Sequence, residues 1–290
     1  MWLIVGGNGQ LGHSLTDVLV DSNQEFIATS HSDLDITDAK QVKEFFSGHN
    51  FSVVVNCAAW TAVDDAEDHI ADALRVNYEG PRNLANAAIA TESRLIHIST
   101  DYVFAGDATE PYEIDTPPNP LNAYGRTKQM GDSTVLTIGS GQFPIVRTAW
   151  LYSKYGRNFA KTMTNRALQG QSVQVVNDQL GQPTLAADLA HLIVEIARHP
   201  SPPSIVHGTN SGQASWFEFA KQIYQFLDVN PDLVTSVTSE AFLTKAPRPR
   251  YSVLGHAAFH RNGLTEMRDW KSALSSEIGN IRHEIEGEIQ

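Results

Sequence analysis

The sequence predicts an α/β fold, and three observations support this prediction. Short apolar runs of strand length alternate with segments of helical periodicity through the first two hundred residues. A glycine-rich segment lies directly between the first apolar run and the first helical pattern. The 290 residues, 41% of them hydrophobic, are enough for one large core and a smaller appended one. This alternation is typical of a Rossmann-type, doubly wound parallel sheet.

The individual elements follow from the same patterns. Strands are expected at Trp2–Val5, Phe26–Thr29, Val53–Cys57, Leu95–Ser99, Ile145–Thr148 and Ile205–Gly208. Helices are expected at Gly9–Val20, Asp38–Phe46, His69–Thr91 and Ala123–Thr137. Parallel sheets bind ligands at the carboxyl ends of their strands, which is where we expect Gly6, Ala58, Thr100 and Trp150.

The alternation becomes irregular in the later part of the chain, which predicts a second domain. Residues 1–150 are expected to form a dinucleotide-binding Rossmann domain, and later elements around residues 173–210 are expected to return to it. Residues 151–172 and 211–290 are then expected to form a smaller, discontinuous substrate-binding domain. The proline-rich connection at residues 106–122 is of the kind that borders an active site.

The glycine-rich segment Gly6–Gly12 predicts a dinucleotide-binding turn. Its glycines at positions 6, 9 and 12 permit a tight turn and a close approach of the backbone to a pyrophosphate. The free N–H groups and the dipole at the start of the following helix would stabilise that anion. Gln10 and Leu11, within the segment, are therefore candidate cofactor contacts. An ordinary glycine turn is the alternative, which the strand before and the helix after make less favourable.

A tyrosine and a lysine four residues apart, Tyr124 and Lys128, are the main candidates for proton transfer. This spacing places both side chains on one face of a helix. A tyrosine titrates near ~10 in water, and a neighbouring ammonium group favours the phenolate and lowers its pKa. Such a pair also occurs by chance, as a core tyrosine beside a solvated lysine. The preceding segment Ser99-Thr100-Asp101, at the end of an expected strand, favours the catalytic interpretation.

Composition excludes several classes of function. The formal net charge of -12 argues against a nucleic-acid-binding protein. Cys57 is the only cysteine, and its apolar surroundings predict a packed thiol. A single cysteine leaves no CxxC-type ligand pair, and no metal is expected. No apolar segment reaches the ~18 residues of a membrane span, and no basic stretch precedes the first apolar run, so a cytoplasmic protein is expected.

Several separated motifs resemble those of the dTDP-4-dehydrorhamnose reductases, within the extended short-chain dehydrogenase/reductase family, as the GxxGxxG spacing also indicates. The motifs are GGNGQLG at 6–12, VNCAAWTAVDDAE at 55–67, STDYVF at 99–104, NAYGRTK at 122–128, RTAWLY at 147–152, NFAKTM at 158–163, NDQLGQPT at 177–184 and RPRYSVL at 248–254. The middle motifs are shared with other extended reductases and epimerases. NDQLGQPT and RPRYSVL narrow the resemblance to reductases of 4-keto sugars.

The resemblance implies roles for three catalytic residues. Tyr124 would protonate the alkoxide that develops at C4 of the sugar, and Thr100 would hydrogen-bond the keto oxygen. Lys128 would bind the nicotinamide ribose and favour the tyrosinate. The chemistry agrees with these roles, because hydride delivery to a ketone places negative charge on its oxygen and preplaced donors stabilise that charge.

The resemblance also implies binding residues. The sugar would contact Asp101, Tyr102 and Trp150, and the cofactor would contact Ala58, Ala59 and Trp60. For Trp150, a core aromatic residue is the alternative. Arg248, between two prolines, is a candidate cation for the substrate diphosphate, with a solvated loop arginine as the alternative.

The residues after the second expected strand bear on the choice of cofactor. An NAD-selective fold would place an acidic residue there, but Ser30 and His31 follow the strand, so NADPH is at least tolerated beside NADH. The resemblance implies that Asp35 and Ile36 contact the adenine, although these acidic residues could also cap the next helix. Some relatives carry a glutamate just after the glycine motif in a metal-bridged dimer. Ser14 stands there, so a monomer or weak homodimer is expected.

The expected activity is the NAD(P)H-dependent reduction of dTDP-4-dehydro-6-deoxy-L-mannose to dTDP-L-rhamnose. One alternative is a reductase of another nucleotide-linked 4-keto-6-deoxy sugar. Another is a non-catalytic dinucleotide-binding subunit, like the regulatory subunit of methionine adenosyltransferase. The intact Thr100, Tyr124 and Lys128 favour an enzyme, because a binding module needs no proton donor.

Overall fold

The computed structural model describes residues 1–289, so Gln290, the last residue of the expected second domain, lies outside the described residues. The strands are β1 (Trp2–Val5), β2 (Phe26–Thr29), β3 (Val53–Asn56), β4 (Arg94–Thr100), β5 (Ile145–Thr148), β6 (Leu151–Tyr152), β7 (Val173–Val176), β8 (Leu180–Gly181), β9 (Thr184–Leu185), β10 (Ile205–His207), β11 (Ala214–Ser215) and β12 (Val234–Val237).

The helices follow the same chain order. They are α1 (Gln10–Asp21), α2 (Ala39–Ser47), α3 (Asp65–Asp68), α4 (Ile70–Leu74), α5 (Gly80–Ala90), α6 (Ala123–Ile138), α7 (Phe159–Leu168), α8 (Ala186–Arg198), α9 (Trp216–Phe226), α10 (Ala258–Arg261) and α11 (Trp270–Ile289). A π-helical segment lies at Arg75–Glu79, and 3-10 turns lie at Asp101–Val103, Pro231–Leu233 and Ser239–Ala241.

The central sheet is parallel throughout. Within residues 1–289 it has six strands in the order β10-β5-β4-β3-β1-β2. The chain starts at β1, adds β2 on one side and then continues from β3 on the other, so β1 and β3 form the point at which the strand order reverses. Open α/β sheets bind their ligands at the carboxyl ends of the strands at such a point.

Helices cover both faces of this sheet, which confirms the predicted doubly wound α/β fold. Along β1, Trp2 and Ile4 pack into a core with α1 and α8, whereas Leu3 and Val5 pack into another core with α2, α5 and α6. Alternate residues of a strand point to opposite faces, so a strand covered on both sides is apolar at every position. This explains why β1 appears in the sequence as an unbroken apolar run.

A further hydrophobic core, the second core, is formed by α7, α9 and α11 with β7 and β12. Its buried residues include Tyr152, Phe219, Trp270 and Leu274. The chain returns to the central sheet later than residue 173, where the expected range of 173–210 begins, because Val173 and Val175 are buried in the second core and β7 pairs with β12. The return begins with α8 and is completed by β10. The exact division into two domains stays a prediction.

The helix expected over His69–Thr91 is interrupted in the structure. The chain forms α3 and α4, then the π-helical segment Arg75–Glu79, then α5. Pro81 lies at the start of α5, where its missing N–H removes one helical hydrogen bond. Gly80 packs directly on the Ile36 side chain, which leaves no space for a Cβ. The other expected strands and helices agree with the observed ones to within one residue at each end.

Candidate active site

The glycine loop between β1 and α1 is shaped for close approach of a ligand. Gly6 has a φ of +78°, and a Cβ there would lie 2.8 Å from the Ala58 backbone nitrogen. A Cβ on Gly12 would lie 2.5 Å from the carbonyl oxygens of Gly6 and Gly7. Helix α1 begins after Gly9, which has no side chain to cap the first turn. The N–H groups of that turn are therefore open to an anion such as a dinucleotide diphosphate.

A cavity of about 540 Å³ lies beside this loop; we call it the main cavity because it holds the predicted catalytic residues. It is lined by most of the residues that the sequence predicts for catalysis and for the nicotinamide half of a cofactor: Gly9, Gln10, Leu11, Gly12, Ala59, Thr100, Asp101, Tyr102, Tyr124, Lys128 and Trp150. These residues come from α1, β4, α6, the 3-10 turn after β4 and the loops after β1, β3 and β5, and the parallel sheet brings them to one edge.

A second cavity, the side cavity, lies on the other side of the glycine loop and has a volume of about 390 Å³. Its lining includes the remaining predicted cofactor residues: Gly6, Ser30, Asp35, Ile36, Ala58 and Trp60. Both cavities share Gly9 and Ala59. The arrangement fits an extended dinucleotide, with the diphosphate at the glycine loop and one nucleoside in each cavity.

Helix α6 places Tyr124 and Lys128 in the main cavity. Its cap is Asn122, whose Oδ1 accepts a hydrogen bond of 2.8 Å from the backbone N–H of Gly125. Tyr124 therefore lies in the first turn and Lys128 one turn later, on the same face. A Cβ on Gly125 would overlap the backbone of Tyr102, so glycine at this position lets α6 approach the turn after β4.

Lys128 is buried, and its ammonium group is held by the backbone of β4. Its Nζ donates a hydrogen bond of 2.6 Å to the carbonyl oxygen of Ile98 and lies 3.4 Å from Nε2 of His97. Burial lowers the pKa of Lys128 to about 8, and the Asp132 carboxylate opposes this shift. Burial and the Lys128 charge lower the pKa of His97 well below its usual value, so this imidazole is neutral at pH 7.

Asp132, one turn beyond Lys128 in α6, is a site residue that the sequence analysis missed. Its Oδ2 accepts a hydrogen bond of 2.6 Å from Ser99 Oγ, and its Oδ1 lies 3.6 Å from His97 Nε2. Burial raises the pKa of its carboxyl group, while Lys128 and Arg147 oppose the rise. The continued spacing of four from Tyr124 through Lys128 could have identified it.

Tyr124 is buried, and burial raises its pKa above the ordinary value, while a hydrogen bond with Thr100 opposes the rise. The expectation that Lys128 lowers the pKa of Tyr124 is therefore wrong. The reason is that the Lys128 ammonium donates to the backbone of Ile98, and burial disfavours the phenolate. At neutral pH the residue is a neutral phenol, which is the form that donates a proton.

The 3-10 turn after β4 supplies the polar groups next to this phenol. Thr100 Oγ1 donates to Asp101 Oδ1 at 3.0 Å and accepts from the Tyr102 backbone N–H at 3.2 Å. Burial raises the pKa of Asp101 to about 6. The rings of Tyr102 and Tyr124 lie edge to face, with centroids 5.6 Å apart. The turn thus directs hydroxyl and carboxyl groups toward the same region of the main cavity.

Trp150 lies directly after β5 with a φ of +45°, which is rare for a bulky residue. Its ring stacks on Trp216 with centroids 3.6 Å apart and an interplanar angle of 8°. A Cβ on Gly181 would lie 2.6 Å from the Trp150 ring, so glycine at this position leaves room for the ring. Both tryptophans line the main cavity. The sequence analysis missed Trp216, because nothing in the local pattern relates it to Trp150.

Asn77, in the π-helical segment, is another residue that the sequence analysis missed. Its Oδ1 accepts a hydrogen bond of 2.9 Å from the Trp60 N–H, and its Nδ2 donates to the Trp60 carbonyl oxygen at 3.1 Å. Nδ2 also donates to Thr127 Oγ1 at 3.0 Å. The side chain therefore fixes the loop after β3 against α6. No sequence signal marks this role.

Arg248 is a predicted site residue that the structure does not bring to either cavity. Its two terminal nitrogens contact the Asp64 carboxylate at 2.7 Å and 3.2 Å, and one of them also donates to the Ala246 carbonyl oxygen. The guanidinium group is thus already paired. Its contact with a substrate diphosphate stays a prediction.

Three further observations concern a metal site, a membrane span and the thiol of Cys57. No group of three or more potential metal-ligating side chains comes together within residues 1–289. No helix in that range is both long and apolar enough to cross a bilayer. Burial raises the pKa of the Cys57 thiol to about 12, so the thiol is not a nucleophile at neutral pH.

Comparison with known proteins adds independent information. A protein of Streptomyces antibioticus, named a probable dTDP-4,6-dihydroxy-2-methyloxan-3-one 4-ketoreductase, is 44% identical over 281 residues, covering 97% of this chain and 95% of that protein. A dTDP-4-dehydrorhamnose reductase of Streptomyces griseus is 42% identical over 278 residues, covering 94% of this chain and 91% of that protein.

A solved structure of a similar protein has the same fold. The dTDP-4-dehydrorhamnose reductase of Bacillus anthracis, in complex with NADP, superposes with a TM-score of 0.91 at 38% identity, covering 96% of this chain and 98% of that one. The family model described as the RmlD substrate binding domain matches residues 1–282. Since this match spans nearly the whole sequence, the chain belongs to the family of the RmlD substrate binding domain.

Proposed function

We propose that this protein is a reductase that uses NADPH or NADH to reduce the 4-keto group of a dTDP-linked 6-deoxy sugar, converting dTDP-4-dehydrorhamnose to dTDP-L-rhamnose. The observation that carries the proposal is the placement of Thr100, Tyr124 and Lys128 in one cavity beside the glycine loop. The names of the relatives support the same class of substrate and reaction.

The residues of the main cavity suit the chemistry of ketone reduction. The dinucleotide, when bound, supplies the hydride. Tyr124 donates the proton from its Oη, since burial keeps the phenol neutral at physiological pH. The Thr100 hydroxyl orients the keto oxygen, and Lys128 holds the cofactor ribose. Such preplaced donors stabilise the negative charge as it develops on the oxygen.

NADPH is the proposed cofactor, since Ser30 and His31 follow β2 at the place where an NAD-selective fold carries an acidic residue. Ser30 lines this cavity, and its N–H and Oγ donate to Asp33 Oδ2 at 2.9 Å and 2.6 Å. The residue directly after β2 carries no charge of its own, so it does not repel a 2'-phosphate, although the Asp33 carboxylate lies beside Ser30 and Asp35 lines the same cavity. The solved relative from Bacillus anthracis holds NADP.

A second candidate function is the reduction of another dTDP-linked 4-keto-6-deoxy sugar. The relative from Streptomyces antibioticus, whose printed name is a different 4-ketoreductase, is slightly more similar in sequence than the one from Streptomyces griseus. A non-catalytic dinucleotide-binding subunit is disfavoured, because it would not need a proton donor at Tyr124.

We also propose a cytoplasmic site of reaction and a monomer or weak homodimer. Both proposed ligands are nucleotides with several charges, which are costly to move across a membrane.

A panel assay tests the proposed function. The purified protein is mixed with dTDP-4-dehydrorhamnose, or with other dTDP-linked 4-keto-6-deoxy sugars, and NADPH or NADH oxidation is followed by absorbance. We expect NADPH oxidation with dTDP-4-dehydrorhamnose and formation of dTDP-L-rhamnose. Faster turnover of another keto sugar would support the second candidate. Dinucleotide binding without oxidation on any of these substrates would contradict the assignment as a reductase.

A further inference from the structure

A six-residue segment, Ser153–Asn158, connects β6 to α7 and lies over the start of α1; we call it the strap. At its carboxyl end, Asn158 Nδ2 donates a hydrogen bond of 2.9 Å to Gln10 Oε1. At its amino end, Ser153 Oγ donates to the same oxygen at 3.4 Å. Gln10 is the first residue of α1, so both ends of the strap are attached to the glycine loop side of the main cavity.

The middle of the strap is attached to α1 as well. Tyr155 Oη donates a hydrogen bond of 2.7 Å to Asp17 Oδ2, and its ring stacks on His13 with centroids 4.8 Å apart. The backbone N–H of Lys154 also bonds Glu277 Oε1 of α11 at 3.2 Å. The strap is therefore held in place from both the cofactor side and the second core.

This arrangement places Arg157 beside the glycine loop. Arg157 lines the main cavity together with Asn8, Gly9 and Gln10. Its side chain is exposed, and no hydrogen bond or ion pair of its guanidinium group is found within residues 1–289. Arg248, by contrast, is bound by Asp64 through both terminal nitrogens. Of these two arginines, only Arg157 is available to an anion in the main cavity.

We propose that Arg157 binds the diphosphate of the dinucleotide cofactor from the side opposite the α1 N-terminus. The inference rests on the cofactor assignment of the proposed function. A diphosphate at the glycine loop meets N–H groups from α1 on one side, and Arg157 supplies the positive charge on the other. A guanidinium group suits this task, because its planar donors match phosphate oxygens in pairs. In a chain with a net charge of -12, such a local cation matters for an anionic ligand.

A binding titration of Arg157→Gln tests the proposal without any turnover. NADP+ is titrated into the wild type and the variant by isothermal calorimetry. Since charge-assisted hydrogen bonds are lost, we expect the Kd for NADP+ to rise about 10- to 100-fold, and Arg157→Lys to recover part of the affinity. The wild type should also lose more affinity than the variant at high salt.

Arg166→Gln is the matched control. Arg166 is an exposed arginine in the last turn of the adjoining α7, so its substitution removes the same charge away from the strap. We expect its Kd for NADP+ to stay within about twofold of the wild type. Equal values for Arg157→Gln and Arg166→Gln would overturn the proposal. Melting temperatures equal to the wild type exclude unfolding as the cause of a weaker affinity.

A titration with dTDP distinguishes whether Arg157 binds the diphosphate of the dinucleotide or that of the nucleotide sugar. We expect dTDP affinity to be the same in Arg157→Gln and the wild type. Loss of dTDP affinity with unchanged NADP+ affinity would assign Arg157 to the nucleotide sugar and overturn the proposal. NADP+ binding is measured in the absence of any sugar. The titration of Arg157→Gln therefore tests the role of Arg157 even if the protein fails to reduce the keto sugars.

Discussion

Tyr124 acts, in our proposal, as an acid whose protonated form is favoured by its surroundings. Burial raises its pKa, and the hydrogen bond with Thr100 only partly opposes that rise. The packing partner Tyr102 lies edge to face at 5.6 Å and needs only the ring, not the hydroxyl group, of Tyr124. Packing and proton donation therefore depend on different atoms of the same side chain.

Tyr124→Phe should separate these two contributions. We expect kcat to fall about 10²- to 10⁴-fold, which is the usual range for loss of a general acid, while the Kd for NADP+ changes little. Steady-state kinetics and a separate NADP+ titration measure the two effects. Tyr224→Phe, in the second core, is a control for loss of a distant buried hydroxyl. A Tyr124→Phe variant with more than about a tenth of wild-type turnover would exclude Tyr124 as the proton donor.

At the scale of the element, α6 carries three functional side chains at intervals of four residues. Tyr124, Lys128 and Asp132 are all buried on one face of this helix. The Asp132 carboxylate partly offsets the burial that lowers the pKa of Lys128 to about 8. Asp132 is thus a positioning residue that acts on the charge of Lys128 without lining the main cavity itself.

Asp132→Asn should change the pH dependence of the reaction. Without the carboxylate, the pKa of Lys128 falls below about 8, because only burial remains as a large influence. Lysine is charged below its pKa, so activity that needs the ammonium group is lost as pH rises through that value. We therefore expect the alkaline limb of kcat/KM to move to lower pH. The measurement is a pH profile of kcat/KM for the variant and the wild type.

The exposed Asp65, whose substitution by Asn removes the same charge from a neighbouring helix, provides a control. In the pH profile of kcat/KM, the alkaline limb of Asp65→Asn should lie at the same pH as that of the wild type. If Asp132→Asn lowers the melting temperature but does not shift the alkaline limb of kcat/KM, Asp132 has a structural role only.

At the scale of the whole molecule, the main cavity lies between the central sheet and the second core. Trp150 comes from the end of β5, whereas Trp216 begins α9 of the second core. Their stacked rings join the two parts where the cavity wall passes from one to the other. The positive φ of Trp150 is retained because its ring stacks on Trp216 and packs against Gly181.

Trp216→Ala should therefore weaken binding of the keto sugar more than binding of the cofactor. An aromatic pair contributes about 0.5 to 1.5 kcal/mol beyond burial, so we expect KM for the keto sugar to rise about 2- to 10-fold. The Kd for NADP+ should change less than twofold. Trp216→Phe, which keeps an aromatic ring, should give an intermediate KM. An unchanged KM in Trp216→Ala would show that the stack does not shape the substrate side.

Much of the cofactor side and of the catalytic pair could be predicted from the sequence. The strand, glycine loop and first helix are local patterns, and Tyr124 and Lys128 lie on one helix, so helical geometry alone sets their spacing. The interruption before α5 could have been suspected from Pro81, but no local pattern in the sequence indicates the π-helical form of Arg75–Glu79.

The sequence by itself determined the α/β class, the glycine loop and the residue types available for proton transfer, because these depend on short-range periodicity. Tertiary structure alone decided which distant groups meet. It paired Arg248 with Asp64, stacked Trp150 on Trp216 and set β7 against β12. It also decided the direction of the Tyr124 pKa, since burial depends on how the whole chain packs around a side chain and not on its neighbours in sequence.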